Sequence, residues 1–170
     1  FLKVKKYFLL IIFFLLFASK SYSNTYKFTK IIELNEPWGS SFINNKEIII
    51  TEKSGKIKIV NVVSKEVSEI KHNLNFLEVG QGGLLDIIQQ DNTLWISYSE
   101  NRGDSKTSTS IAKASLNKIE LNFKNIFQAN PPIDSGYHFG SRLAIKDDYI
   151  YASAGERGQG MIAQDPTKHP

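Results

Sequence analysis

Two residues of this 170-residue chain stand where side-chain chemistry would be useful. His138 immediately precedes Phe139-Gly140-Ser141-Arg142, a glycine-led opening to an apolar run. Imidazole titrates near neutrality and so suits proton abstraction at neutral pH. Gln81 stands in a comparable place ahead of Gly82-Gly83. A carboxamide there can donate to one oxygen and accept from a hydroxyl without a full charge to desolvate. The other two histidines lack this setting: His72 falls in a strand or turn and His169 in the terminal tail. Other chemistries find no support. Cysteine is absent, so there is neither a thiolate nor a disulfide framework. There is no zinc-spaced His/Glu pair, no phosphate-cradling loop and no serine nucleophile elbow. Gly80-Gln81-Gly82-Gly83 is not a dinucleotide fingerprint, because no helix follows it.

The elements that must position these residues read as strands. Segments 47–53, 56–63, 93–99 and 148–153 are rich in Ile, Val, Tyr and Trp, and turn-forming residues flank most of them. Segment 110–119 has a weak helical alternative and is taken as strand, while the polar tip 105–110 is expected to be a solvated loop. Arg102-Gly103-Asp104 reads as a turn. A repeat organises the pattern. Pro37-Trp38-Gly39 leads through Asn44-Asn45 into EIIIT, Gln81-Gly82-Gly83 through Gln90-Asp91-Asn92 into LWISY, and Phe139-Gly140-Ser141 through Asp147-Asp148 into YIYAS. Antiparallel repeats at roughly 40–50 residues mark propeller blades. A sandwich of glycine-led hairpins has the same composition, which does not separate the two. In a propeller each glycine would open an innermost strand, with His138 at the mouth of the central channel and Gln81 at the equivalent rim position.

The N-terminus adds a separate signal. Lys3, Lys5 and Lys6 precede an apolar run from Tyr7 to Ala18 and the small polar stretch Ser19–Ser23, the layout of a secretory signal peptide cleaved before Asn24. The run is shorter than the roughly 20 residues of a membrane-spanning helix, so no permanent membrane span is expected. Residues 1–23 hold four of the 21 basic residues and none of the 17 acidic ones, leaving 17 against 17. The basic balance therefore belongs to the export signal and gives no reason to invoke nucleic acid. The chain begins at Phe1 and stops at Lys168-His169-Pro170, which suggests part of a longer protein.

Four segments in order, 37–60 (PWGSSFINNKEIIITEKSGKIKIV), 80–87 with 95–100 (GQGGLLDI, WISYSE), 138–145 (HFGSRLAI) and 151–158 with 163–170 (YASAGERG, AQDPTKHP), resemble the soluble aldose sugar dehydrogenases of the glucose/sorbosone dehydrogenase group. The resemblance implies an all-β, six-bladed β-propeller in the intact protein. Residues 24–170 would form about two and a half to three blades of it, after an N-terminal signal helix. It implies a periplasmic or secreted bacterial quinoprotein that oxidises a sugar to a lactone, with hydride passing from C1 to pyrroloquinoline quinone and electrons onward to a carrier. His138 would be the base. Gln81 would contact the cofactor, and Gln159 and Gln164 are both candidates for a further polar contact between which the sequence does not choose; the cofactor's carboxylates suit a guanidinium fork, so Arg157 is either cofactor-facing or structural, and Arg142 is as readily paired with a neighbouring blade. Glu156 stands where the family more usually has aspartate, and Tyr137 where some glucose-oxidising relatives have an acidic residue. Calcium ligands and the remaining pocket residues are expected beyond Pro170, with no metal ligand in the present chain. The 170 residues alone are expected to be inactive and prone to aggregate. Two alternatives stand beside this: an exported propeller that binds a glycan or protein without catalysis, and a calcium-dependent propeller lactonase.

Overall fold

The computed structural model describes residues 25–165 and 167. The expected signal segment 1–23 and His169 lie outside the described residues. The described residues fall into two units that meet in sequence between Lys30 and Ile31. Residues 25–30 of the first have no regular secondary structure, and every described strand belongs to the second. Among the described residues no helix is long and apolar enough to cross a membrane.

The strands are β1 (Pro37–Phe42), β2 (Glu47–Glu52), β3 (Lys56–Asn61), β4 (Val67–His72), β5 (Leu84–Gln90), β6 (Thr93–Asn101), β7 (Thr107–Ser115), β8 (Glu120–Leu121), β9 (Lys124–Gln128), β10 (Gly140–Lys146) and β11 (Tyr149–Ala154). They form three sheets. The first is the meander β1-β2-β3-β4, extended by β8, which pairs parallel to β4. The second runs β5-β6-β7-β9, and the third is the hairpin β10-β11. Two full four-stranded sheets and a half one agree with the expected partial propeller. Strand β5 packs against β1 on one side and β10 on the other, so the first strand of each sheet lines a common inner edge.

The repeat is sharper in three dimensions than in sequence. Hairpin β1–β2 opens with Pro37 opposite Glu52 and resumes, after a bulge, at Ser40 opposite Ile50. The second hairpin does the same from Leu84–Tyr98 to Ile87–Ile96, and the third from Gly140–Ala154 to Leu143–Ala152. A bulge adds a residue to one strand and bends it. Within each bulge an inner-strand N–H donates to a hydroxyl of the second strand: Gly39 to Thr51 (2.9 Å), Asp86 to Ser97 (3.0 Å) and Arg142 to Ser153 (3.0 Å). The first two hydroxyls donate onward to the next sheet, Thr51 Oγ1 to the Leu85 carbonyl (2.5 Å) and Ser97 Oγ to that of Ser141 (2.6 Å). Gly39 must be glycine for this approach, because a Cβ there would lie 2.6 Å from the Leu85 carbonyl oxygen.

Behind the inner strands, Ile49, Ile57, Ile59 and Ile70 of the first sheet pack on Leu84, Ile87, Leu94, Ile96 and Tyr98 of the second. Three expectations need correction. Residues Thr107–Ser110, read as a solvated loop, are buried in β7; their short hydroxyls can be buried because they find partners there, Ser110 on the Glu100 carboxylate (2.6 Å) and Thr109 on the Phe139 carbonyl (2.9 Å). The strand that was expected to reach residue 119 ends at Ser115. The glycines opening the three copies are not equivalent: the shared bulge aligns Gly39 with Asp86 and Arg142, and Gln81 with Tyr137 rather than with His138.

Candidate active site

His138 precedes β10, the inner strand of the third sheet. The hairpin begins with Gly140 opposite Ala154, and the segments just outside it stay in contact through side chains, His138 meeting Glu156 and Arg157 meeting the Tyr137 carbonyl. His138 Nδ1 bonds Glu156 Oε1, which also accepts the Gly158 N–H at 3.2 Å. That bond holds the Glu156 carboxyl below the usual carboxylate range. A carboxylate can only accept, so Nδ1 carries the hydrogen, and in the neutral ring Nε2 is then left with its lone pair. Among the described residues nothing bonds Nε2, and the His138 side chain is 53% exposed. The arrangement is an oriented imidazole with an open basic nitrogen, stabilised by a carboxylate if it takes up a proton.

The backbone of His138 is held as firmly as its ring. Its N–H donates to Gln81 Oε1 at 2.9 Å, and the Gln81 N–H donates to the Gly136 carbonyl at 2.7 Å. His138 has φ of 49°, in the left-handed region that a non-glycine residue occupies at a cost. The 155–157 turn runs hard against it: a Cβ at Gly155 would sit 1.9 Å from the His138 carbonyl oxygen.

The structure thus brings together Gln81, His138 and Glu156. The sequence marked Glu156 only as standing where the family more usually has aspartate, and its position 18 residues after His138, across a turn at 147–148, is the signal that finds the pair. Gln159 and Gln164 are exposed. They are anchored through their backbones, to Glu156 O at 2.8 Å and Met161 O at 3.3 Å. Arg142 bonds Asp86 of the second sheet at 3.1 Å, while its side chain remains 74% exposed. Arg157 takes the structural rather than the cofactor-facing placement. It is 1% exposed, stacks on the Phe139 ring at 3.7 Å, and spends its donors on protein oxygens. The turn's left-handed backbone at Arg157, φ 56°, directs the side chain inward. His72 is a structural histidine, its Nε2 2.7 Å from Gly55 O and its Nδ1 accepting the Leu74 N–H at 3.2 Å. Among the described residues no group of three or more His, Cys, Asp or Glu could hold a metal ion.

Sheets that repeat one bulged hairpin around a common inner edge, with a carboxylate-bonded histidine at its rim, define a β-propeller with a polar site at that rim. The chain belongs to the Glucose / Sorbosone dehydrogenase family, whose model matches residues 34–170. It is 29% identical to the aldose sugar dehydrogenase YliI of Escherichia coli (strain K12), with 80% of this chain covered and 39% of that protein. The crystal structure of the soluble aldose sugar dehydrogenase from Escherichia coli in its apo form superposes with a TM-score of 0.73 at 29% identity, covering 79% of this chain and 42% of that one. The PQQ-bound aldose sugar dehydrogenase of Streptomyces coelicolor shares the fold, with a TM-score of 0.70 at 21% identity, 80% of this chain and 42% of that one being covered. The chain spans about two fifths of the length of these relatives.

Proposed function

We propose that the protein is an exported quinoprotein oxidoreductase, or the N-terminal part of one, that oxidises an aldose at its anomeric carbon to the lactone. The observation that carries this reading is the His138–Glu156 pair, with Nε2 unengaged on an exposed rim. His138 Nε2 takes the proton of the anomeric hydroxyl as the C1–H bond gives up its electron pair and the C1=O bond forms. Glu156 compensates the imidazolium charge that results, and Gln81 keeps the ring's backbone in place.

The donor set fits pyrroloquinoline quinone, which carries several carboxylates. Gln81 commits its Oε1 to His138 and leaves its Nε2 without a bond among the described residues. Arg142 engages Asp86 through Nη1, and much of its fork faces solvent. With the exposed amides of Gln159 and Gln164, these are the groups that would hold it. When bound, the quinone supplies the two-electron acceptor for the C1 hydride. No calcium ligand is assigned to the described residues, and no step here runs through calcium.

The test is to reconstitute the intact protein with pyrroloquinoline quinone and Ca²⁺ and to screen aldoses with an artificial acceptor. Sugar-dependent reduction of the acceptor is expected. His138→Gln should abolish turnover while largely sparing cofactor binding, and unchanged turnover would remove the proposed base.

A further inference from the structure

Arg157 is the largest of the fully buried side chains, and its described bonds all end on neutral oxygens. Nε donates to the Tyr137 carbonyl (3.0 Å), Nη1 to the Thr107 carbonyl (3.1 Å), and Nη2 to Thr107 Oγ1 (2.6 Å) and to the Ser135 carbonyl. The face of the guanidinium lies 3.7 Å from the centroid of Phe139. Burial lowers its pKa to about 10, which leaves it cationic at neutral pH. A buried cation with no anion in contact among the described residues is a costly way to fill a core, and a neutral side chain would fill it at less cost. What a neutral side chain lacks is the rigid fork that collects acceptors from several directions at once.

Those acceptors are not scattered. Ser135, Tyr137 and Phe139 flank His138 on the segment leading into β10, and Thr107 belongs to β7. The backbone of Arg157 follows Glu156 directly. We propose that Arg157 is a positioning residue for His138: its guanidinium ties the 135–139 segment bearing the imidazole to the turn bearing Glu156, and anchors both on β7. Without that tie, the left-handed backbone at His138 and the carboxylate that selects its tautomer would each relax independently. Thr107 strengthens the anchor by donating from Oγ1 to the Ser135 carbonyl at 3.3 Å.

The kinetic consequence rests on the oxidoreductase reading above; the tautomer consequence does not. In long-range ¹H–¹⁵N spectra of the intact, histidine-labelled protein, with the His138 signals assigned by their loss in His138→Gln, His138 should report mainly the Nδ1–H tautomer. Arg157→Lys keeps the charge without the fork, and Arg157→Gln keeps two donors without the charge. Both should move His138 toward the Nε2–H form that free histidine prefers. Both should also lower kcat by about 10- to 100-fold, with KM for the sugar within about threefold. Thr107→Val should shift the tautomer in the same direction by less. Ile57→Val, a core change in the first sheet, should leave tautomer and kcat as in the parent. An unaltered His138 tautomer in both Arg157 variants would overturn the proposal, as would loss of the fold in all three site variants, which would make Arg157 a general stability residue. If the parent oxidises no aldose, the oxidoreductase reading fails and the tautomer comparison still decides this one.

Discussion

At the scale of single residues, the bond between His138 and Glu156 has consequences for pH. The Glu156 carboxyl is held below its usual range chiefly by its hydrogen bond to His138. A carboxyl whose folded pKa lies below its unfolded one adds stability above the unfolded value and loses it as pH falls through the folded value. The melting temperature of the parent should therefore exceed that of Glu156→Gln near neutrality, with the gap closing at the acid end of a pH series. Glu156→Gln should also cut turnover by about 10- to 100-fold, because a carboxamide can donate to Nδ1 and so favour the wrong tautomer. Gly155→Ala should damage the site with both side chains of the pair unchanged, since its methyl group would meet the His138 carbonyl; the expected readout is lost turnover, with the far-UV spectrum retained. The sequence made His138 and Gln81 visible through the glycine-led repeat. It could not say which way Arg157 points, because guanidinium chemistry suits a bound carboxylate and a set of backbone carbonyls equally well.

At the scale of the element, the hairpin register does most of the positioning. Strands at 47–53, 56–63 and 93–99 were legible because β-branched and aromatic residues cluster between turn formers, and the structure sets them at 47–52, 56–61 and 93–101. The start of β7 was not legible, because Thr-Ser-Thr-Ser reads as loop until Glu100 and the carbonyl of Phe139 appear as its partners. Strand β4, with Ser68, Glu69 and Lys71 exposed around a buried Ile70, gave no apolar run to detect. The bulge hydroxyls offer a direct test of the repeat. Thr51→Val leaves the Gly39 N–H and the Leu85 carbonyl without their hydroxyl partner at a buried position, and should cost about 1–3 kcal/mol in denaturant unfolding. Thr51→Ser, which keeps the hydroxyl, should cost less.

At the scale of the described sheets together, the third has an open edge. Among the described residues β11 pairs only with β10, and Tyr149 and Tyr151 on it are 68% and 55% exposed. A two-stranded sheet with an open edge is marginal alone and prone to pair with other chains. Residues 24–170 expressed alone should therefore self-associate at micromolar concentration, which size-exclusion chromatography with light scattering would read directly; a monodisperse monomer would contradict this. The hydroxyl links between sheets also have a direction. Thr51 gives its hydrogen to the second sheet and Ser97 gives its own to the third, so each joint has a giving side and a receiving side. Through this link, modules with unlike faces join head to tail. They either close into a ring, the last giver meeting the first receiver, or continue to add copies. Ser153, the next giver in the series, faces solvent with its hydroxyl hydrogen uncommitted among the described residues, and so marks both where another module would attach and which way round it would have to face.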